Sequence, residues 1–180
     1  FEDLLSENWS KCLDGKEDAF RVITAFLRII QHAADQRKAQ IVLIDVGPNL
    51  GAINRSALIS AEKVAIPMAA DLFSIQGLEN LGPTLREWRQ GWQKRLNEKP
   101  LSCDFALPAG KMEAIGYIVM QNGFREGRPV KAYQRWLNRI PDAYRRAVLN
   151  EVSEKSPMPE ADPYSLAQLL KQRDGTVRNS

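Results

Sequence analysis

The stretch Ile41-Val42-Leu43-Ile44-Asp45-Val46-Gly47-Pro48-Asn49-Leu50-Gly51 is where residue types and spacing offer chemistry. Its opening apolar run does not alternate with polar residues, which fits a strand over 41–44 buried on both faces, as in a parallel sheet covered by helices. A strand ending in Asp45 sets a carboxylate at the C-terminal sheet edge, where open α/β sheets bind ligands. A carboxylate there can hold Mg²⁺ through its water shell, next to substrate phosphates. The Gly47-Pro48 and Leu50-Gly51 pairs permit a tight turn with close backbone approach to a phosphate. A solvated acid in an ordinary turn leaves the same pattern, so the stretch alone does not decide between the two.

The elements around it set its context. Phe20, Ile23, Leu27, Ile30 and Ala34 recur at helical spacing and predict a helix over 17–36, closed by cations at Arg37 and Lys38. A short helix is expected over 52–61, and a second strand over 63–67, ended by Pro67. Leu78, Leu81, Leu85, Trp88, Trp92 and Leu96 form one stripe of a helix over 76–96, with a kink or fresh start at Pro83. A polar connection over 97–113 leads to a third strand at 114–120. A loop at 123–129 follows, then helices marked by Tyr133 to Ile140 and by Pro141 onward. A proline-containing loop over 153–163 and a short helix over 165–172 close the chain. Helices alternating with apolar strands predict an α/β fold with a mainly parallel sheet; three strands are too few for this many helices, so further strands are expected before Phe1.

Composition narrows the function classes. A hydrophobic fraction of 44% and a charged fraction of 26% over 180 residues fit one globular domain. No apolar run reaches the roughly 18 residues of a membrane span, and no secretory leader opens the chain. Cys12 and Cys103 stand apart, without a CxxC partner, and read as free thiols. With His32 the only histidine, a transition-metal site is not expected. The net charge of +3 permits contact with an acidic polymer without demanding it.

From Ile44 to Asn54 the chain resembles the Walker B and switch II region of ParA-type ATPases of the P-loop class. The resemblance continues through Ala65-Ile66-Pro67, Asp71 to Leu78, and Ile115 to Asn122, covering roughly residues 17–140 in matching order. It implies one P-loop NTPase-like domain over 1–180, of which these residues are the C-terminal portion. It also implies an ATP- and Mg²⁺-dependent ATPase that forms a homodimer with ATP and positions DNA or other cargo through a ParB-like partner. A cytoplasmic location, with the bacterial nucleoid as a further one, goes with that. Asp45 then takes the catalytic and Mg²⁺ role, and Gly47, Pro48, Asn49 and Gly51 line the nucleotide. Asn54 faces the nucleotide or is an exposed first-turn residue, and Gln121 and Asn122 meet the adenine edge or form a turn. Asp71 shapes the site or caps the following helix.

The chain departs from the family pattern in one respect. The phosphate loop G-x-x-x-x-G-K-[ST] is absent, since Gly15-Lys16 precedes Glu17 and Gly110-Lys111 precedes Met112. That loop is expected upstream of Phe1, and the 180 residues alone are expected to be inactive. Arg125, Arg128 and Lys131 head a basic series reaching Arg146, and Arg86 to Arg95 form a second; either can neutralise DNA phosphates or be a solvated helix face. The tryptophans read as core. Two other functions remain in view: a non-catalytic binding protein of the same fold, and a MinD-like membrane-associated switch. The region from Leu166 to Arg173 is short and little apolar for a membrane-seeking helix.

Overall fold

The first helix, α1 (Glu2–Lys11), opens on two acids and closes on a lysine, as the helix dipole favours. A computed structural model describes residues 1–100, 102–120, 124–125, 128–129, 131–151 and 161–166. The helix expected over 17–36 divides into α2 (Glu17–Ile23) and α3 (Ala25–Arg37). At the break, buried Thr24 leaves helical geometry and its hydroxyl donates to the Phe20 carbonyl at 2.8 Å, in competition with the backbone ladder.

Next come α4 (Ala52–Ile59), β1 (Lys63–Met68), α5 (Leu72–Asn97) and β2 (Glu113–Val119). Helix α5 starts ahead of its apolar stripe because Asp71 caps it, accepting the Ser74 N–H at 2.7 Å. Pro83 is accommodated inside this one helix. Strands β1 and β2 are neighbours. The Glu113 N–H donates to the Glu62 carbonyl at 2.9 Å and the Met120 N–H to the Met68 carbonyl at 2.7 Å, so the two strands run parallel. A further parallel bridge joins Tyr117 to Ser165. A two-residue hairpin, β3 (Phe124–Arg125) and β4 (Arg128–Pro129), precedes α6 (Lys131–Leu137) and α7 (Ile140–Tyr144). The chain continues from α7 into a π-helical turn over Arg145–Leu149. The architecture is α/β, with parallel strands flanked by helices.

One expectation is corrected. Residues 41–44 form no strand, and they are not buried: Ile41 is 80% exposed and Leu43 93%. A strand buried on both faces needs neighbours for its backbone groups and helices above and below it. The described residues supply 41–44 with no such neighbour. An apolar run records a tendency to be covered, while the covering itself is a non-local property.

The chain divides into two compact units, residues 1–63 with 86–113, and residues 64–85 with 114–180. In the first, Leu5, Phe20, Ile23, Trp88 and Trp92 are buried. Trp9 stacks on Trp92 with centroids 6.1 Å apart, and Phe20 meets Trp92 at 5.9 Å. The Trp92 indole N–H donates to the Pro108 carbonyl at 2.9 Å, satisfying its polar end. In the second unit, Ile66, Met68, Leu78, Tyr117, Ile140 and Tyr144 belong to one buried cluster.

Within that second unit, Gly82 of α5 lies directly on the Ala147 backbone, and a Cβ at position 82 would run into the Ala147 carbonyl. Gly82→Ala is therefore expected to destabilise this unit by roughly 1–3 kcal/mol, the usual cost of overpacking against backbone. The loss should appear as a lower urea midpoint. An unchanged midpoint would mean that α5 slides aside freely.

Candidate functional site

Along 44–46 burial alternates, with Ile44 and Val46 half-buried and Asp45 exposed between them. Asp45 is thus exposed just before the turn-forming residues. Among the described residues it has no ion-pair partner, and no cluster of three or more His, Cys, Asp or Glu side chains gathers to hold a metal. A lone open carboxylate suits Mg²⁺, which keeps most of its water and takes one or two protein oxygens together with substrate phosphates. Asp45 is the side chain that would hold it.

The loop beyond Asp45 is tied down by three side chains. Asn54, only 7% exposed on the first turn of α4, sends its amide group back into the loop. Its Nδ2 donates to the Gly47 carbonyl and to the Asn49 carbonyl, each at 2.7 Å. Asn49 Oδ1 accepts the Gly51 N–H at 3.2 Å, a local turn that asparagine favours. The carboxylate of Glu2 then receives the Ala52 N–H and, at 3.1 Å, the Ile53 N–H. An acid from the start of α1 thus satisfies free donors at the N-terminus of α4 and meets the positive end of its dipole. Gly51 makes room for it, since a Cβ there would lie 2.5 Å from Glu2 Oε1.

The next residue of α4, Arg55, lies 4.4 Å above the Trp9 ring, and Arg95 lies 3.8 Å from the same ring. Burial lowers the Arg55 pKa, and the nearby acids Glu2 and Glu87 pull it back up. Its Nε is buried without a hydrogen-bond partner. The helix bearing the loop is therefore fastened to α1 by a carboxylate at its N-terminus and by a cation–aromatic contact one turn on.

The sequence candidates fall as follows. Asp45, Gly47, Pro48, Asn49, Gly51 and Asn54 are contiguous at the entry to α4. Gln121 and Asn122 lie outside the described residues. Arg125 and Arg128 stand opposite each other in the β3–β4 ladder and Lys131 opens α6; their side chains lie outside the described residues. Asp71 is a helix cap. Of the second basic series, Arg89 donates to the Lys111 and Met112 carbonyls at 2.7 Å each, and Arg95 to the Trp9 and Gly91 carbonyls. Arg145 pairs with buried Asp162 at 2.7 Å, and Arg146 with Glu79 at 3.4 Å. Trp88 and Trp92 are buried, and burial pushes the Cys12 thiol up to about 12, which makes it an inert core group. Gly15 and Gly110 occupy left-handed turns, and neither follows a strand. Acids at positions 17 and 18 open the helix after Lys16. Glu2 was not legible as a site residue, because its partners lie 50 and 51 residues away.

Comparison with known proteins adds the following. A protein-family model described as an AAA domain matches residues 10–98. Over 56 residues the chain is 38% identical to the chromosome-partitioning ATPase Soj of Thermus thermophilus, a stretch that is 31% of this chain and 22% of that protein. The solved structure of protein DIP2308 from Corynebacterium diphtheriae superimposes with a TM-score of 0.64 at 24% identity, over 87% of this chain and 53% of that one. The chain thus spans about half the length of the solved relative and about a fifth of the curated one. No helix among the described residues is long and apolar enough to cross a membrane.

Proposed function

Taking as premise that the chain belongs to the ParA-like P-loop ATPases, we propose that it is the switch-bearing part of a Mg²⁺-dependent ATPase that dimerises with ATP and positions DNA or other cargo. One observation carries this reading: an exposed carboxylate, Asp45, leads directly into a side-chain-anchored loop that ends at a helix N-terminus. Such loops change order or position with the γ-phosphate and its metal. Bound Mg²⁺ would neutralise phosphate charge. Asp45 would hold its water shell, the backbone of Gly47, Pro48, Asn49 and Gly51 would approach the phosphates closely, and Gln121 and Asn122 would meet the base. A ParB-like protein is the proposed partner. Arg89, Arg95, Arg145 and Arg146 are engaged within the fold, and the proposal for sequence-independent DNA contact rests on Arg125, Arg128 and Lys131.

The test is the mass of the full gene product by light scattering with Mg²⁺ and either a slowly hydrolysed ATP analogue or ADP. A dimer with the analogue and a monomer with ADP is expected. The same mass in both would exclude the switch.

A further inference from the structure

The geometry points to Asn54 as a positioning residue that fastens residues 47–49 to the first turn of α4, so that loop and helix move as one piece. The functional consequence rests on the switch reading above, while the fastening itself does not. Asn54 Nδ2 spends both of its hydrogens on carbonyls of the loop, at 2.7 Å to Gly47 and 2.7 Å to Asn49. Because both partners are acceptors, the amide orientation is dictated by its surroundings, and no other residue type reproduces it. Aspartate would set a carboxylate against two carbonyl oxygens. Alanine would leave both carbonyls without their donor. Asn54 itself is 7% exposed, while Gly47 and Asn49 are exposed, so the two bonds are part-buried ones.

The attachment reaches further than the loop. Asn54 is followed by Arg55 on the Trp9 ring and preceded by the two backbone N–H groups that hold Glu2. A ligand that displaces Gly47 or Asn49 must therefore either break that residue's bond to Asn54 or carry the start of α4 with it, pulling on its contacts with α1. This gives the Gly47-Pro48-Asn49 loop a defined mechanical output. It separates Asn54 from residues that touch nucleotide.

The first measurement needs no variant. In ¹⁵N spectra of the full gene product, the Asn54 side-chain amide protons should be resolved and slow to exchange with solvent. Averaged, fast-exchanging signals would overturn the inference. In Asn54→Ala, the backbone order parameters of Gly47 and Asn49 should fall from the rigid value of about 0.85 to below about 0.6, with α4 amides still protected. A loop that stays rigid in a folded variant would overturn it as well. In the full gene product, Asn54→Ala should lower kcat roughly 10- to 100-fold through misplacement, while KM for ATP moves less than about threefold. A raised KM at unchanged kcat would make Asn54 a nucleotide contact instead. Absence of ATP turnover in the wild type would sink the switch reading alone and leave the two spectroscopic measurements to decide the role of Asn54.

Discussion

Asp45→Ala is expected to abolish Mg²⁺-dependent phosphate release by the full gene product while leaving its melting temperature almost unchanged. The two halves of that expectation come from different observations. Asp45 is exposed and has no salt-bridge partner among the described residues, so its removal leaves no buried group unsatisfied. Surface substitutions of this kind usually stay within about 0.5 kcal/mol. The rate is another matter. In phosphoryl transfer the metal bridges the β- and γ-phosphate oxygens and neutralises charge as it develops. Removing one electrostatic contributor of that sort typically costs about 10²–10³ in kcat, and the anchor of a divalent ion should cost no less. A phosphate-release assay on both proteins, alongside their thermal melts, decides it. Equal turnover would remove Asp45 from the metal role. A melt lowered by several degrees would show that the carboxylate has a structural duty.

The elements that depend on a short local pattern were legible before the structure: α4, β1 and β2 begin within a residue of their expected positions. The Asp45-to-Gly51 stretch reads in sequence as a turn at the ligand edge of a sheet, but no strand precedes it among the described residues, so it stands at no sheet edge there. What the sequence could not deliver was pairing. Ile41 to Ile44 has the composition of a covered strand, yet coverage depends on residues far away in the chain. Asn54 shows the same limit at smaller scale. From its position it reads as a nucleotide-facing or an exposed first-turn residue, whereas the structure folds its amide back onto carbonyls seven and five residues earlier. Arg89, Arg95 and Arg145 look like solvated positive charge in sequence and prove to be hydrogen-bonded within the fold, because long guanidinium side chains reach carbonyls and acids that no spacing rule locates. Helix α1 was not anticipated, and with it went Glu2 and its contact to the start of α4.

Asp162→Ala should be the most destabilising single change in the second unit, at roughly 3–5 kcal/mol. The Asp162 side chain is fully buried and the Arg145 side chain is 10% exposed, with Arg145 Nη2 donating at 2.7 Å. The Tyr117 hydroxyl donates to the other carboxylate oxygen at 2.6 Å. Burial, and then this bond to Asp162, raise the Tyr117 pKa, so the phenol remains a donor throughout the neutral range. Removing the carboxylate leaves a guanidinium and a phenol desolvated without a partner, and that penalty is larger than the worth of the pair itself. The contrast is Lys63–Glu113, whose side chains are 54% and 59% exposed, a surface pair whose loss should leave the urea midpoint almost unchanged. The consequence for the fold is specific. Tyr117 also donates its backbone N–H to the Tyr164 carbonyl at 2.9 Å, so the network lies beside the bridge that joins residues 164–165 to β2. In Asp162→Ala the Tyr117 amide should lose its protection from hydrogen exchange along with the drop in urea midpoint. Asp162→Asn should fall between, since it still accepts from Tyr117 but leaves Arg145 uncompensated. The double change Asp162→Leu with Arg145→Met should recover much of the loss, because it removes both charges together. A double variant no more stable than Asp162→Ala would show that the network acts through its shape and hydrogen bonds, with charge compensation contributing little.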